Sequence, residues 1–127
     1  MPIIMLIMYR NAIVQGLMNK LQGNPDIHMI YEPDYDHAHI AARNSDANVV
    51  LIEATESGHY DMAYCLALSK WLRKHIPKCK ILLMCSEQDE KSVKEVVAAK
   101  WARQIDDFVF YDVTIDYLAS KIISICK

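Results

Sequence analysis

The chain has 127 residues, 53% of them hydrophobic and 24% charged, with a formal net charge of -2, enough for one domain with its own hydrophobic core. That balance excludes the basic face of a nucleic-acid binder, and apolar runs no longer than a strand exclude a membrane span. The start Met1-Pro2-Ile3-Ile4 is no secretory signal, and Cys65, Cys79, Cys85 and Cys126 lack Cys-x-x-Cys spacing, so they read as reduced thiols of a cytoplasmic protein.

Ile3 to Met8 is a continuous apolar run that reads as a buried strand, broken by the polar Tyr9-Arg10-Asn11. From Ala12 to Gln22 the apolar residues Ile13, Leu17 and Leu21 recur every four positions, with Val14 and Met18 alongside, which predicts a helix. Gly23-Asn24-Pro25-Asp26 stops it and turns the chain into a second strand, Ile27 to Tyr31. Tyr35 to Arg43 is read as a helix ended by Asn44-Ser45-Asp46, and Val49 to Glu53 as a third strand, apolar until its final carboxylate. A strand of that kind is buried on both faces, as in parallel sheets.

Ala54 to Tyr60 is a polar loop containing Gly58, and Met62 to His75 is a helix closed by Ile76-Pro77. Lys80 to Cys85 is a fourth strand, and Ser86 to Asp89 offers a cap for a helix reaching Lys100. Phe108 to Tyr111 is a fifth strand, and Ile115 to Cys126 an amphipathic final helix. Strands alternating with helices imply an α/β domain with a parallel sheet and right-handed crossovers. No Gly-x-Gly-x-x-Gly or P-loop is present, which leaves a flavodoxin-like (βα)5 doubly wound sheet of order 2-1-3-4-5, spanning 1-127 as a single domain. In open α/β sheets ligands bind beyond the carboxyl ends of the strands, so Glu53 lies where a site is expected.

Over Met5 to Gly16, Asn24 to Glu32, Val49 to Gly58, Ile81 to Val97 and Asp112 to Ile123 the chain resembles the receiver domain of bacterial response regulators, nearest the NarL/LuxR type. The resemblance implies an acidic Mg²⁺-binding pair after the first strand, a phosphoacceptor Asp after the third, a Thr or Ser after the fourth and a Lys after the fifth. Here those positions fall on Tyr9 and Arg10, Glu53, Cys85 and Tyr111, and all of them depart from the pattern. Gly58 is retained, and Phe108 stands at the aromatic that reports activation in the family.

Phosphoryl transfer to a carboxylate needs a divalent cation to neutralise and align the moving group, and Mg²⁺ takes oxygen ligands. Tyr9 offers no carboxylate and Arg10 repels a cation, so catalysed phosphorylation, a metal, a cofactor and enzyme activity are not expected. Two readings of Glu53 follow. Either it is a built-in phospho-mimic, with Arg10 replacing the metal by a charge-assisted hydrogen bond, Tyr111 replacing the Lys contact and Ser86 (in preference to Cys85) supplying the switch hydroxyl. Or it is a solvated carboxylate in a decayed pocket, paired with Arg10.

Other constellations are weaker. His37 and His39, two apart on a helix, do not share a face for metal binding. A redox role for Cys85 needs a lowered pKa from a neighbour such as Arg10. The pattern of cobalamin carriers, Asp-x-His-x-x-Gly, is absent, and Asp106-Asp107 reads as a strand-entry turn. Trp101 and Arg103 lie in a lengthened segment before the fifth strand, and these are interface-anchoring residue types. In receiver-like domains the face of the fourth helix, fifth strand and fifth helix is the usual partner or homodimer surface.

The expected function is a phosphorylation-independent pseudo-receiver of a signalling or transcriptional regulator in the two-component class. It would act through protein contacts, with Phe108 and Trp101 carrying the pocket's state to the partner face. DNA would be met only through a separate output domain beyond Lys127. The alternative is a small-molecule sensor whose vacated pocket holds an anion at Arg10 and stacks it on Tyr9 or Tyr111.

Overall fold

The computed structural model describes residues 2–126. It is a five-stranded parallel sheet in the order β2-β1-β3-β4-β5, with elements β1 (Ile3–Ile7), α1 (Asn11–Leu21), β2 (His28–Tyr31), α2 (Ala38–Ser45), β3 (Val49–Glu53), α3 (Met62–His75), β4 (Lys80–Cys85), α4 (Glu90–Trp101), β5 (Asp107–Phe110) and α5 (Ile115–Cys126). Both the fold class and the strand order expected from the sequence are present.

Strand alternation divides the core in two. Met5, Ile7, Val50, Ile52, Ile81 and Leu83 face α2, α3 and α4, while Ile4, Leu6, Val49, Leu51, Leu82 and Met84 face α1 and α5. β3, in the middle, is buried along its whole length, which is why it lacks a polar alternation. Glu53 continues the parity of Val49 and Leu51, so its side chain leaves the sheet on the α1/α5 side.

Helix ends follow local chemistry. Asp61 accepts the Tyr64 N–H at 3.1 Å, and Asp89 caps α4 through Ser92, satisfying amide groups that the first turn leaves unpaired. The second helix departs from expectation. It begins at Ala38 and not at Tyr35, and it continues through Ser45 to a left-handed Asp46 at φ 56°. Tyr35 lies in the preceding turn because its side chain is drawn into the core, where it is fully buried. α4 closes in a Schellman arrangement, with Arg103 N–H on the Lys100 carbonyl and Gln104 N–H on the Ala99 carbonyl. The left-handed position there, φ 62°, is held by Arg103 where glycine is the usual occupant.

Gly16 brings α1 close to α5. A Cβ at this position would stand 2.9 Å from Ile115 Cδ1 and 3.0 Å from Cγ1. Gly16→Leu is therefore expected to lower stability by about 1–3 kcal/mol through overpacking, outweighing the better helix propensity of leucine. A urea melt that showed an unchanged or higher midpoint would refute this account of the α1–α5 contact.

Candidate functional site

Glu53 ends β3, and Tyr9 and Arg10 follow β1, its hydrogen-bonded neighbour. The Glu53 side chain is 1% exposed, whereas that of Arg10 is 52% exposed. The carboxylate accepts three hydrogen bonds. Oε1 takes the backbone N–H of Tyr9 at 2.8 Å and of Arg10 at 2.9 Å, and Oε2 takes Arg10 Nε at 2.9 Å. These amides lie just ahead of α1, whose first turn contains no acidic residue and whose N-cap makes no side-chain bond. Glu53 thus supplies from β3 the negative charge that the positive end of the α1 dipole favours.

The Arg10 guanidinium carbon stands 4.0 Å from the centroid of the Tyr111 ring, a cation–π contact. The Tyr111 hydroxyl donates to the Ala54 carbonyl, and burial, then the nearby Glu53 charge, raises its pKa well above that of free tyrosine. The ends of β1, β3 and β5 are therefore tied together by carboxylate, guanidinium and phenol. The Arg10–Glu53 bond has the form expected, but Tyr111 contacts Arg10 and the Ala54 backbone instead of replacing a lysine contact to the carboxylate. The solvated carboxylate of the second reading is not what forms, since both Glu53 oxygens face donors from the chain.

On the other side of β3 lies a cluster that sequence reading missed. The Tyr35 hydroxyl donates to the Glu53 backbone carbonyl at 2.7 Å, and its ring stacks on Tyr60 at 4.4 Å. The hydroxyls of Tyr60 and Tyr64 donate to the two oxygens of Asp36 at 3.1 and 2.7 Å. The Tyr64 bond leads in holding the Asp36 carboxyl below its usual range. Only the aromatic content of Tyr35, Tyr60 and Tyr64 was visible in sequence; nothing in their spacing marks convergence of two loops and the first turn of α3 on one strand end.

Cys85 and Ser86 are not brought to this site. Residues 81, 83 and 85 share one parity, so Cys85 points to the α3/α4 side, opposite to Glu53, and is 1% exposed. Burial pushes its thiol up to about 11, far from the lowered value a redox-sensing cysteine needs. Ser86 is also buried, and its hydroxyl accepts the Gln88 N–H at 3.2 Å. Cys85 ends β4, and Ser86 opens the turn into α4. Among the described residues no group of three or more His, Cys, Asp or Glu side chains is placed to hold a metal, and no helix is long and apolar enough to cross a membrane.

Tyr9, Arg10, Glu53 and Tyr111 line an open cleft of about 580 Å³ together with Thr55, Glu56, Ser57, His59 and Tyr60. Phe108 is half-buried against the α2–α4 core. Trp101 and Arg103 lie at the opposite end of the sheet, where α4 ends, beside a second hollow of about 660 Å³ that includes Arg73 and Lys100. The expected Asp106–Asp107 turn holds structural ion pairs. Asp106 accepts Arg73 and the Ile81 N–H, while Asp107 bridges Lys100 and Lys121 across α4, β5 and α5. Burial raises the Asp107 pKa, but the two lysines outweigh it and hold the carboxyl low.

No family model matches the chain, and no curated protein sequence matches it. Solved structures do. A response regulator from Thermotoga maritima superposes with a TM-score of 0.79 at 16% identity, covering 98% of this chain and 97% of that one. A LuxR-family DNA-binding response regulator from Staphylococcus aureus gives 0.78 at 14%, covering 100% of both. The N-terminal domain of the nisin resistance regulator NsrR gives 0.77 at 19%, covering 99% and 98%. The fold is that of response-regulator receiver domains.

Proposed function

We propose that the chain is a phosphorylation-independent receiver-like module of a signalling or transcriptional regulator, non-catalytic, acting through protein contacts on the α4–β5–α5 face. The observation that carries the reading is the buried Glu53 carboxylate, held on both oxygens. Its three donors come from the chain itself and its side chain is 1% exposed, so the group has neither the exposure nor the freedom of approach of an in-line nucleophile. Where a working receiver would hold a metal by carboxylates, this chain has a guanidinium, and where a lysine would reach the phosphoryl group it has Tyr111. The Glu53–Arg10–Tyr111 tie joins the same strand ends without metal or phosphate. The Asp107 bridge to Lys100 and Lys121 holds α4, β5 and α5 in one arrangement, as a constitutive contact surface requires.

The test is exposure to acetyl phosphate with Mg²⁺, read by intact mass, alongside a beryllofluoride titration followed by NMR. No added phosphoryl mass and no shift at Glu53 or Phe108 are expected. Mg²⁺-dependent modification of Glu53 would overturn the reading. The small-molecule alternative is favoured by one observation, the tyrosine-lined cleft of about 580 Å³, a size typical of ligand pockets. A compound that raised the melting temperature in proportion to its concentration, and lost that effect in Tyr9→Ala, would shift the reading there.

A further inference from the structure

All five helices run from the carboxyl ends of the strands toward their amino ends, and charge divides along the same axis. Glu32, Asp34, Glu56, Asp61, Glu87 and Asp112 stand at or beyond the carboxyl ends, with Arg10 and Lys91 among them, whereas Arg43, Lys74, Lys78, Lys80 and Arg103 gather at the other end, offset in part by Asp26 and Asp46. Helix dipoles account for part of this, since acids suit helix starts and bases suit helix ends. Five helices at about half a charge each supply only about 2–3 charges per end. The carboxylates exceed that compensation, and the two ends remain oppositely charged.

Each end also carries an unpartnered aromatic feature. Trp101 is 83% exposed at the basic end. Beside it Arg103, exposed and in a left-handed conformation, makes no ion pair among the described residues. At the acidic end the open cleft presents Tyr9, 74% exposed, with Tyr60, His59 and Tyr111. Glu56 on its lip is exposed and likewise makes no ion pair among the described residues.

We propose that these ends dock on one another between copies of this chain, head to tail. Trp101 of one copy enters the tyrosine-lined cleft of the next, and Arg103 pairs with Glu56. The occupant is a second copy because the chain itself presents the complementary charge and an aromatic cleft able to receive an indole. The contact joins two different surfaces, so it is heterologous and propagates into a ring or an open chain. It buries an exposed tryptophan and an arginine, the residue types that dominate interface energetics. The contact is distinct from the α4–β5–α5 face proposed above and is independent of whether Glu53 can be phosphorylated.

Sedimentation velocity at low and high salt provides the test, with Arg103→Gly plus Trp101→Ala removing the projecting end and Glu56→Lys altering the cleft. Arg103→Gly relieves the left-handed strain, so the doubly substituted chain should melt no lower than the parent, and a loss of association is then not a loss of fold. The parent chain is expected to grow in mass with concentration at low salt and to return to monomer at high salt, as a charge-steered contact does. Each variant alone should stay monomeric. Mixed in equal amounts, one supplying the intact cleft and the other the intact projection, they should form dimers and nothing larger. A parent chain monomeric at every concentration, association that survives both variants, or a mixture that stays monomeric would each overturn the proposal. None of these results would bear on the acetyl phosphate experiment.

Discussion

Glu53→Ala is expected to lower the unfolding free energy by about 2–3 kcal/mol, a large effect for a residue beside an open cleft. The substitution leaves the Tyr9 and Arg10 amides without their acceptor, and a buried donor left unpaired costs about 1–3 kcal/mol. Both amides are only partly buried, so water recovers some of that, and the value stays below a simple sum. Glu53→Gln keeps an oxygen for the amides but sets an NH₂ against Arg10 Nε, donor facing donor. It should cost about half as much. Glu53→Asp, shorter by one methylene, should fall between the two, because the retracted carboxylate cannot span both amides and the guanidinium. It should still not accept a phosphoryl group, since restoring the aspartate does not restore metal ligands at Tyr9 and Arg10. The Arg10–Glu53 pair itself should show a coupling of about 1 kcal/mol or less in a double-mutant cycle, because the half-exposed guanidinium is partly screened. Urea denaturation of the series decides the matter. If Glu53→Ala lies within experimental error of the parent, the carboxylate is a bystander and the Glu53–Arg10–Tyr111 tie contributes nothing to the fold.

Tyr35→Ala should cost more, about 3–5 kcal/mol, the range for deleting a fully buried aromatic side chain. Tyr35 is 1% exposed and stacks on Tyr60, so its removal opens a cavity under the β3–α3 loop. Tyr35→Phe separates packing from hydrogen bonding. It retains the ring but removes the donor to the Glu53 carbonyl, and about 1–2 kcal/mol is the expected loss. In the native chain, burial and then the neighbouring Glu53 charge hold the Tyr35 hydroxyl's pKa well above the ordinary tyrosine range, so the donor to the Glu53 carbonyl is retained where a free tyrosine would ionise. Because the same strand end is held by Tyr35 on one face and by Arg10 and the amides on the other, Tyr35→Phe should also broaden the NMR signals of Tyr9 and Arg10. Unchanged signals would show that the two faces act separately.

These two residues illustrate how unevenly the sequence disclosed the site. Glu53 was legible because a carboxylate closing the run Val49 to Ile52 breaks a pattern that burial on both faces demands. Its proximity to Arg10 was legible because parallel pairing of β1 with β3 aligns the ends of those strands. Tyr35 was not, because a helical reading of residues 35 to 43 treats it as one more amphipathic position. Its preference for the core over the first turn of a helix depends on a carbonyl eighteen residues away. Cys85 was assigned to the pocket from its place in the chain order, and strand parity sends its side chain to the opposite face of the sheet.

The sequence by itself determined the architecture. Apolar runs of strand length alternating with amphipathic segments suffice for a parallel sheet with helices on both faces, since hydrophobic periodicity is local and each element carries its own signal. It also determined that a carboxylate closes β3 and that Tyr9 and Arg10 follow β1. Only the tertiary structure decided that the Glu53 carboxylate is consumed by backbone amides and Arg10, that Tyr111 stacks on Arg10 instead of meeting the carboxylate, and that Tyr35 braces the strand end from behind. Those outcomes rest on hydrogen-bond geometry among groups distant in sequence, on distances of a few tenths of an ångström and on which face each side chain leaves. No periodicity in the chain encodes them.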